Sequence, residues 1–348
     1  MHVCICDESA VELWRVWRLF GPAGLLEMRI KPSGRFTHSW KSCVVAGETP
    51  SFQPPSSQWA ARLLEPESVW LSAPVDFYST DNLHRAASFA VVSHLPSKYL
   101  LPGDFVAINQ YVFVTTPEAS LMAATRELDR PEALRLINEF CGAYVTDAGT
   151  GRGFRDAPAI TSVEELLGFC DIHLAWKQAR EFRQTVRYAV DGCASPAEST
   201  MAALLCLPYR DGGYGLPLPT MNAVVELGHR ANGLADRGHY VGDAVWSDSK
   251  VIVEYDSKAE HTDQARVTHD HIRKLALEAD GYHVSVVTPV ILANASLFGK
   301  VARDTCARLG RRHRPGDDAA GYRAAQRKAR ESLIDVPNRW YRAWSGRD

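Results

Sequence analysis

Apolar and polar positions along the chain follow two periods, one of about 2 residues and one of about 3.6, and their order lays out the secondary structure. His2 to Cys6 reads as a strand. Asp7 then stands as a helix N-cap, with Ala10, Leu13, Trp14 and Trp17 following at helical spacing. The stretch from Gly47 to Ser57, rich in proline and serine, reads as a loop. Ala87 to Val92 and Phe105 to Thr115 read as strands on either side of a Pro102-Gly103 turn. Helices are expected from Glu118 to Leu128, from Arg130 to Cys141, from the capping box at Thr161-Ser162-Val163-Glu164, and from Ile172 to Val190. Between the second and third of these, Ala148 to Pro158 reads as a loop.

Beyond Asp191-Gly192, where a glycine follows the last helical residue, the pattern becomes more regular. Ser195-Pro196 places an N-cap and a first-turn proline before a helix reaching Cys206. Strands are expected from Met221 to Leu227, Tyr240 to Trp246 and Val251 to Lys258, then a helix from Asp263 to Asp280 stopped by Gly281. A strand from His283 to Thr288 and a helix from Asn294 to Leu309 complete the order α-β-β-β-α-β-α. The fold expected is α/β. The domains expected are an α+β one over residues 1–190, a second over 191–312 with a mixed central sheet, and a basic tail over 313–348.

Composition narrows the classes. With 348 residues, 46% apolar and 23% charged, the chain suits two soluble domains with cores of their own. No apolar run approaches the roughly 20 residues of a membrane span, and the first residues lack a signal-peptide pattern, so the expected location is the cytoplasm. The eight cysteines lack zinc-site spacing and are expected as buried thiols. The net charge of −2 conceals an asymmetry: from Lys300 to Asp348 there are thirteen Lys/Arg against six Asp/Glu. Such an excess suits an anionic partner or a solvated tail.

The candidate chemistry lies on two adjacent strands. If Ser247-Asp248-Ser249-Lys250 is a hairpin loop with Trp246 opposite Val251, then Asp243 falls across from Glu254. Alternation sends Asp256 and Lys258 to the same face. Carboxylates so placed repel by about 4 kcal/mol at 4 Å and an effective dielectric of 20, and a divalent cation would relieve that. Mg²⁺, or Mn²⁺ in its place, would activate water and neutralise a phosphate, while Lys258 would add a point charge or help to deprotonate the water. His261 stands where a general base to that water is expected, and Glu198 can aim a further carboxylate at the ion or its water shell. Other clusters read more plainly: His269-Asp270-His271 as a solvated helix face, Gly212-Gly213-Tyr214-Gly215 as a flexible loop, and Trp340 with Trp344 as docked on a core.

The run from Ala194 to about Gly310 resembles the PD-(D/E)XK nuclease superfamily, and within it the domains similar to very-short-patch repair endonucleases. The matching residues are Ser195-Pro196-x-Glu198, Gly242-Asp243-Ala244-Val245-Trp246, Val253-Glu254-Tyr255-Asp256, His261, Asp270-x-x-Arg273 and Gly281-Tyr282-x-Val284. The resemblance implies a restriction-endonuclease-like core with Asp243 as principal metal ligand and Glu254 or Asp256 as second acid. Lys258 would be the superfamily lysine, and His261 the histidine that acts as base. Gly242 replaces the usual proline and Ser257 the usual glycine. The stretch from Ala87 to Tyr144, with Val91-Val92-Ser93-His94 and Val112 to Glu118, is similar to AbiEi-type antitoxin and transcriptional regulators. These likenesses imply a Mg²⁺-dependent endonuclease acting on DNA, with the N-terminal domain choosing a target or protein partner. The alternative is a non-catalytic DNA-binding regulator that keeps a nuclease-like fold.

Overall fold

The computed structural model describes residues 2–64, 71–81, 87–228, 238–257, 264–311 and 320–335, with the backbone alone for 264–270. The chain divides into two compact units that depart from the expected boundary near residue 191. The first holds Met1–Asp129 and Tyr144–Arg187, and the second holds Arg130–Ala143 and Tyr188–Arg339. The helix from Arg130 to Cys141 therefore clusters with the second unit rather than the first.

The first unit is built on β1 (Val3–Ile5), helix α1 (Asp7–Glu27), two short helices α2 (Gly34–His38) and α3 (Ser57–Leu63), and strands β2 (Val75–Tyr78), β3 (Val91–His94), β4 (Phe105–Ala107) and β5 (Val112–Thr115). They form one sheet in the order β3-β2-β1-β5-β4, in which β1 runs parallel to β5 and antiparallel to β2. Four departures from the sequence reading stand out. The strand expected from Phe105 to Thr115 is a hairpin, because the Asn109 side chain accepts from the N–H groups of Tyr111 and Val112 and turns the chain there. The stretch from Ala87 begins with bends, and its strand is β3. Cys6, not Asp7, takes the N-cap position of α1, and Asp7 has φ +47°. β2 carries no turn signal strong enough to mark it. Helix α1 buries Leu13, Trp14 and Val16, and Trp14 donates to the Thr115 carbonyl at 2.9 Å.

Helix α4 (Pro117–Ala124) follows β5, capped by Thr116, and α5 (Arg130–Cys141) starts the second unit. The chain then returns to the first unit as the small hairpin β6 (Tyr144–Thr146) and β7 (Phe154–Asp156), so part of the expected loop from Ala148 to Pro158 is strand. Helices α6 (Val163–Ile172) and α7 (Lys177–Val186) end that unit, the second starting at Lys177 rather than at Ile172. Ser162 caps α6 through the Glu165 N–H, as the capping pattern implies.

The second unit follows the expected order closely. Helix α8 (Pro196–Cys206) carries Ser195 as N-cap and proline in its first turn. After it come β8 (Thr220–Glu226), β9 (His239–Trp246), β10 (Val251–Tyr255), helix α9 (Gln264–Ala279), β11 (His283–Val287), a short helix α10 (Pro289–Ala293) and α11 (Ala295–Arg308). The sheet order is β11-β10-β9-β8, with β10–β11 parallel and the other pairs antiparallel. Residues 247–250 form the tight turn expected, with Lys250 in the left-handed region at φ +51°. Val251, Ile252 and Val253 are all buried, so β10 is covered on both faces. Ala276 and Leu277 of α9 join Val225, Val245 and Ile252 on one face, while α8 and α11 also pack on β10.

Two expectations about exposed segments are corrected here. Gly212-Gly213-Tyr214-Gly215 is a packed cradle: a Cβ on Gly212 would come within 2.4 Å of the Ala325 carbonyl oxygen, and Tyr214 is buried. The element it receives is helix α12 (Ala320–Arg330), part of the expected basic tail, whose Tyr322 and Ala329 are buried rather than solvated. Tyr322 donates its hydroxyl to the Gly213 carbonyl at 3.1 Å. Trp340 and Trp344 lie outside the described residues. All eight cysteines are free, buried thiols, and no helix among the described residues is long and apolar enough to cross a membrane.

Candidate functional site

The register of the β9–β10 hairpin is the one expected from the turn: Trp246 pairs with Val251, Val245 with Ile252 and Ala244 with Val253. The ladder stops there, one step before Asp243 and Glu254. Instead of pairing through its backbone, Asp243 accepts the Tyr255 N–H on its carboxylate at 2.6 Å. On the other side the β8–β9 pairing also skips Asp243, running from Met221–Ala244 to Ala223–Gly242. The residue left between them, Asn222, has φ +48°, a region in which asparagine is among the more tolerated side chains. β8 thus bulges at the level of Asp243, where the β9–β10 ladder also ends, while β10 stays paired with β11 through Tyr255.

Gly242 has a steric reason for being glycine. A Cβ there would meet Val245 Cγ2 at 2.6 Å and Ile252 Cγ2 at 3.2 Å. Any side chain would have to displace the packed face beneath the carboxylates.

Asp243, Glu254 and Asp256 line one cavity of about 380 Å³ together with Arg273, Lys274 and His271 of α9. The strand ends at Tyr255, so Asp256 reaches the cavity from the segment beyond it rather than by strand alternation. Its N–H donates to the Val287 carbonyl at 3.0 Å, which keeps it beside β11. Arg273 is the cation at the site: it donates to Glu254 Oε1 at 2.7 Å and to the Val241 carbonyl at 2.5 Å. Burial is the main reason that Asp243 is pushed up to about 6, with the charges of Glu198 and Asp256 adding to it and the Tyr255 N–H and Arg273 opposing. Burial likewise carries Glu254 to about 7, raised further by Asp243 and lowered by Arg273.

Glu198 has a different position from the one expected. Its two carboxylate oxygens take the Ala194 N–H at 2.8 Å, the Ser195 hydroxyl at 2.8 Å and the Asn222 amide at 2.7 Å. It does not line the cavity, and acts there only through its charge on Asp243. Lys258 and His261 lie outside the described residues. Sequence reasoning misses Asn222 as a support, and sets His271 aside with its solvated helix face. Arg273 carries a signal, the Asp270-x-x-Arg273 spacing, but nothing local shows that its partner is Glu254.

The first unit holds a separate cluster that the sequence does not announce, because its members come from β2, β3 and the start of α1. His94 Nε2 lies 2.8 Å from Asp76 Oδ1, and its Nδ1 lies 3.6 Å from Asp7 Oδ2. Ser9 holds the other Asp76 oxygen at 3.1 Å. The hydrogen bond that Asp76 accepts raises His94 above the ordinary imidazole value against the effect of burial. The two ring nitrogens of His94 are thus each flanked by a carboxylate.

Comparison of the chain with protein-family models, with curated proteins and with solved structures found no match in any of the three.

Proposed function

We propose that the second unit is a divalent-metal-dependent nuclease domain of the PD-(D/E)XK type that hydrolyses phosphodiester bonds in DNA. The observation that carries this reading is the convergence of Asp243, Glu254 and Asp256 on one cavity, with Arg273 beside them. The element order α8-β8-β9-β10-α9-β11-α11 and its mixed sheet support the restriction-endonuclease-like core that goes with it. The carboxylates fit Mg²⁺ or Mn²⁺ by their chemistry: even with Arg273 in place, Asp243 and Glu254 remain raised, so their ionised forms are under-compensated and a cation would stabilise them. When bound, such an ion supplies a polarised water and neutralises charge on the phosphate.

The chain's own groups have distinct tasks in this reading. Tyr255 N–H fixes the Asp243 carboxylate, and Arg273 orients Glu254 while offering a guanidinium to a phosphate oxygen. Lys258 would stabilise charge near the attacking water and His261 would accept its proton. The first unit would choose the target or a protein partner. A second reading, a DNA-binding regulator without catalysis, is favoured by the Arg273–Glu254 ion pair at 2.7 Å, since a guanidinium there partly replaces a metal charge. Plasmid nicking in Mg²⁺ and Mn²⁺ separates the two. The nuclease reading expects activity in the wild type that EDTA abolishes and that Asp243→Ala and Lys258→Ala each lower by about 100-fold or more. Nicking that survives both substitutions would sink it.

A further inference from the structure

The second unit has another concave site, a groove between α11 and α12 of about 810 Å³. Arg303, Arg323, Arg327 and Arg330 line it, and Glu331 is the one acid among its lining residues. Arg323, Arg327 and Arg330 stand at i, i+4 and i+7 and so share one face of α12. Arg303, Arg323 and Arg327 are exposed and form no ion pair among the described residues. Arg330 is buried; it donates to the Leu292 carbonyl at 2.5 Å and lies over the Phe298 ring, so the floor of the groove is a fixed positive charge. A Cβ on Gly299 would meet the Tyr214 hydroxyl at 2.8 Å and Arg303 Nη1 at 3.3 Å, so the glycine leaves room chiefly for the tyrosine and also for the guanidinium. Gln326 ties the wall together by donating to the Tyr214 and Tyr322 hydroxyls.

The groove also has a defined place in the fold. β10 and β11 run parallel with Tyr255 beside Val287, and one short helix, α10, separates Val287 from the groove residues Ala295 and Ser296. Arg330, bonded to the Leu292 carbonyl, therefore stands at the same end of the sheet as Asp256, whereas Arg303 follows α11 back toward His283, which its neighbour Asp304 bonds at the other end of β11. Four arginines against one acid, in a concavity with a rigid floor, are a site for repeated anionic groups. Arginine forks match phosphate geometry and several together track a backbone.

We propose that this groove anchors the phosphodiester backbone of DNA. The choice of DNA rests on the nuclease reading, whereas the need for a polyanion rests on the groove alone. The test is fluorescence anisotropy with the full chain in EDTA, using a short labelled duplex and its single strand across roughly 50 to 200 mM salt. Arg323→Gln combined with Arg327→Gln is expected to weaken binding by about tenfold or more. It should also reduce the slope of log K against log salt by about 2 for the duplex and somewhat less for the single strand. The lysine pair Arg323→Lys and Arg327→Lys should keep the slope, and thermal melts of all variants should match the wild type because both positions are exposed.

Equal affinity and slope in the glutamine variant and the wild type would overturn the proposal. So would displacement of the DNA by polyglutamate at equal charge concentration, or an absence of DNA binding. The two readings fail separately. Arginine-dependent binding without nicking removes the nuclease and leaves the groove; nicking with arginine-independent binding removes the groove and leaves the nuclease.

Discussion

Asp243→Asn removes a charge that burial makes unfavourable, and it should stabilise the second unit at alkaline pH. Asp243 goes from an ordinary 3.8 to about 6 on folding, which costs about 3 kcal/mol once the group is ionised. That cost is already net of the Tyr255 N–H bond to the ionised carboxylate, and the asparagine oxygen can still accept that N–H as the neutral acid does. The expectation is a gain of about 3 kcal/mol at about pH 8. The sign follows from the raised carboxyl. Below its unfolded value of 3.8 both states are protonated and no difference exists, and the wild type loses stability as pH rises through about 6. Glu254 adds a parallel loss between 4.5 and about 7. Melting followed by circular dichroism in EDTA should show the variant about 6 to 12 °C above the wild type at about pH 8, with the gap closing near pH 4. Adding Mg²⁺ should raise the wild type and not the variant. A variant no more stable than the wild type at alkaline pH, or a gap that persists unchanged in acid, would refute the reasoning.

Other perturbations test the supports of the site. Gly242→Ala should destabilise by about 1 to 3 kcal/mol in urea titration, since its Cβ would meet Val245 and Ile252 below ordinary contact distance. Glu198→Ala strands the donors at Ala194, Ser195 and Asn222 and should cost about 1 to 3 kcal/mol. The same change should lower the Asp243 pKa, read by NMR titration of its carboxyl, because the Glu198 charge raises it. In the first unit, the raised His94 contributes stability that is complete below the unfolded histidine value of 6.5 and lost as pH rises through the folded value. Asp76→Asn should flatten that decline in a series of melts; a first-unit transition equally pH-dependent in both proteins would contradict the Asp76–His94 pairing.

Much of the second unit is legible in the chain because its signals are local. Ser195-Pro196 starts α8, Gly281 stops α9, and the short polar link at 247–250 determines the β9–β10 register, each by a rule that acts within a few residues. That register follows from the turn alone and brings Asp243 and Glu254 to neighbouring positions. What local rules cannot decide depends on residues far apart in sequence. Asn222 twists out of the ladder because Glu198, from another element, accepts its amide. Arg273 finds Glu254 only once α9 lies on the sheet, and the α12 arginines form a groove only because Gly212 lets that helix dock. The hairpin at Asn109 escapes the sequence reading because apolar residues flank it closely on both sides, and the turn is made by one side chain accepting from two N–H groups. Periodicity records which side of an element is buried, whereas the pairing of charges and the docking of helices follow from three-dimensional contacts that no single stretch of sequence contains.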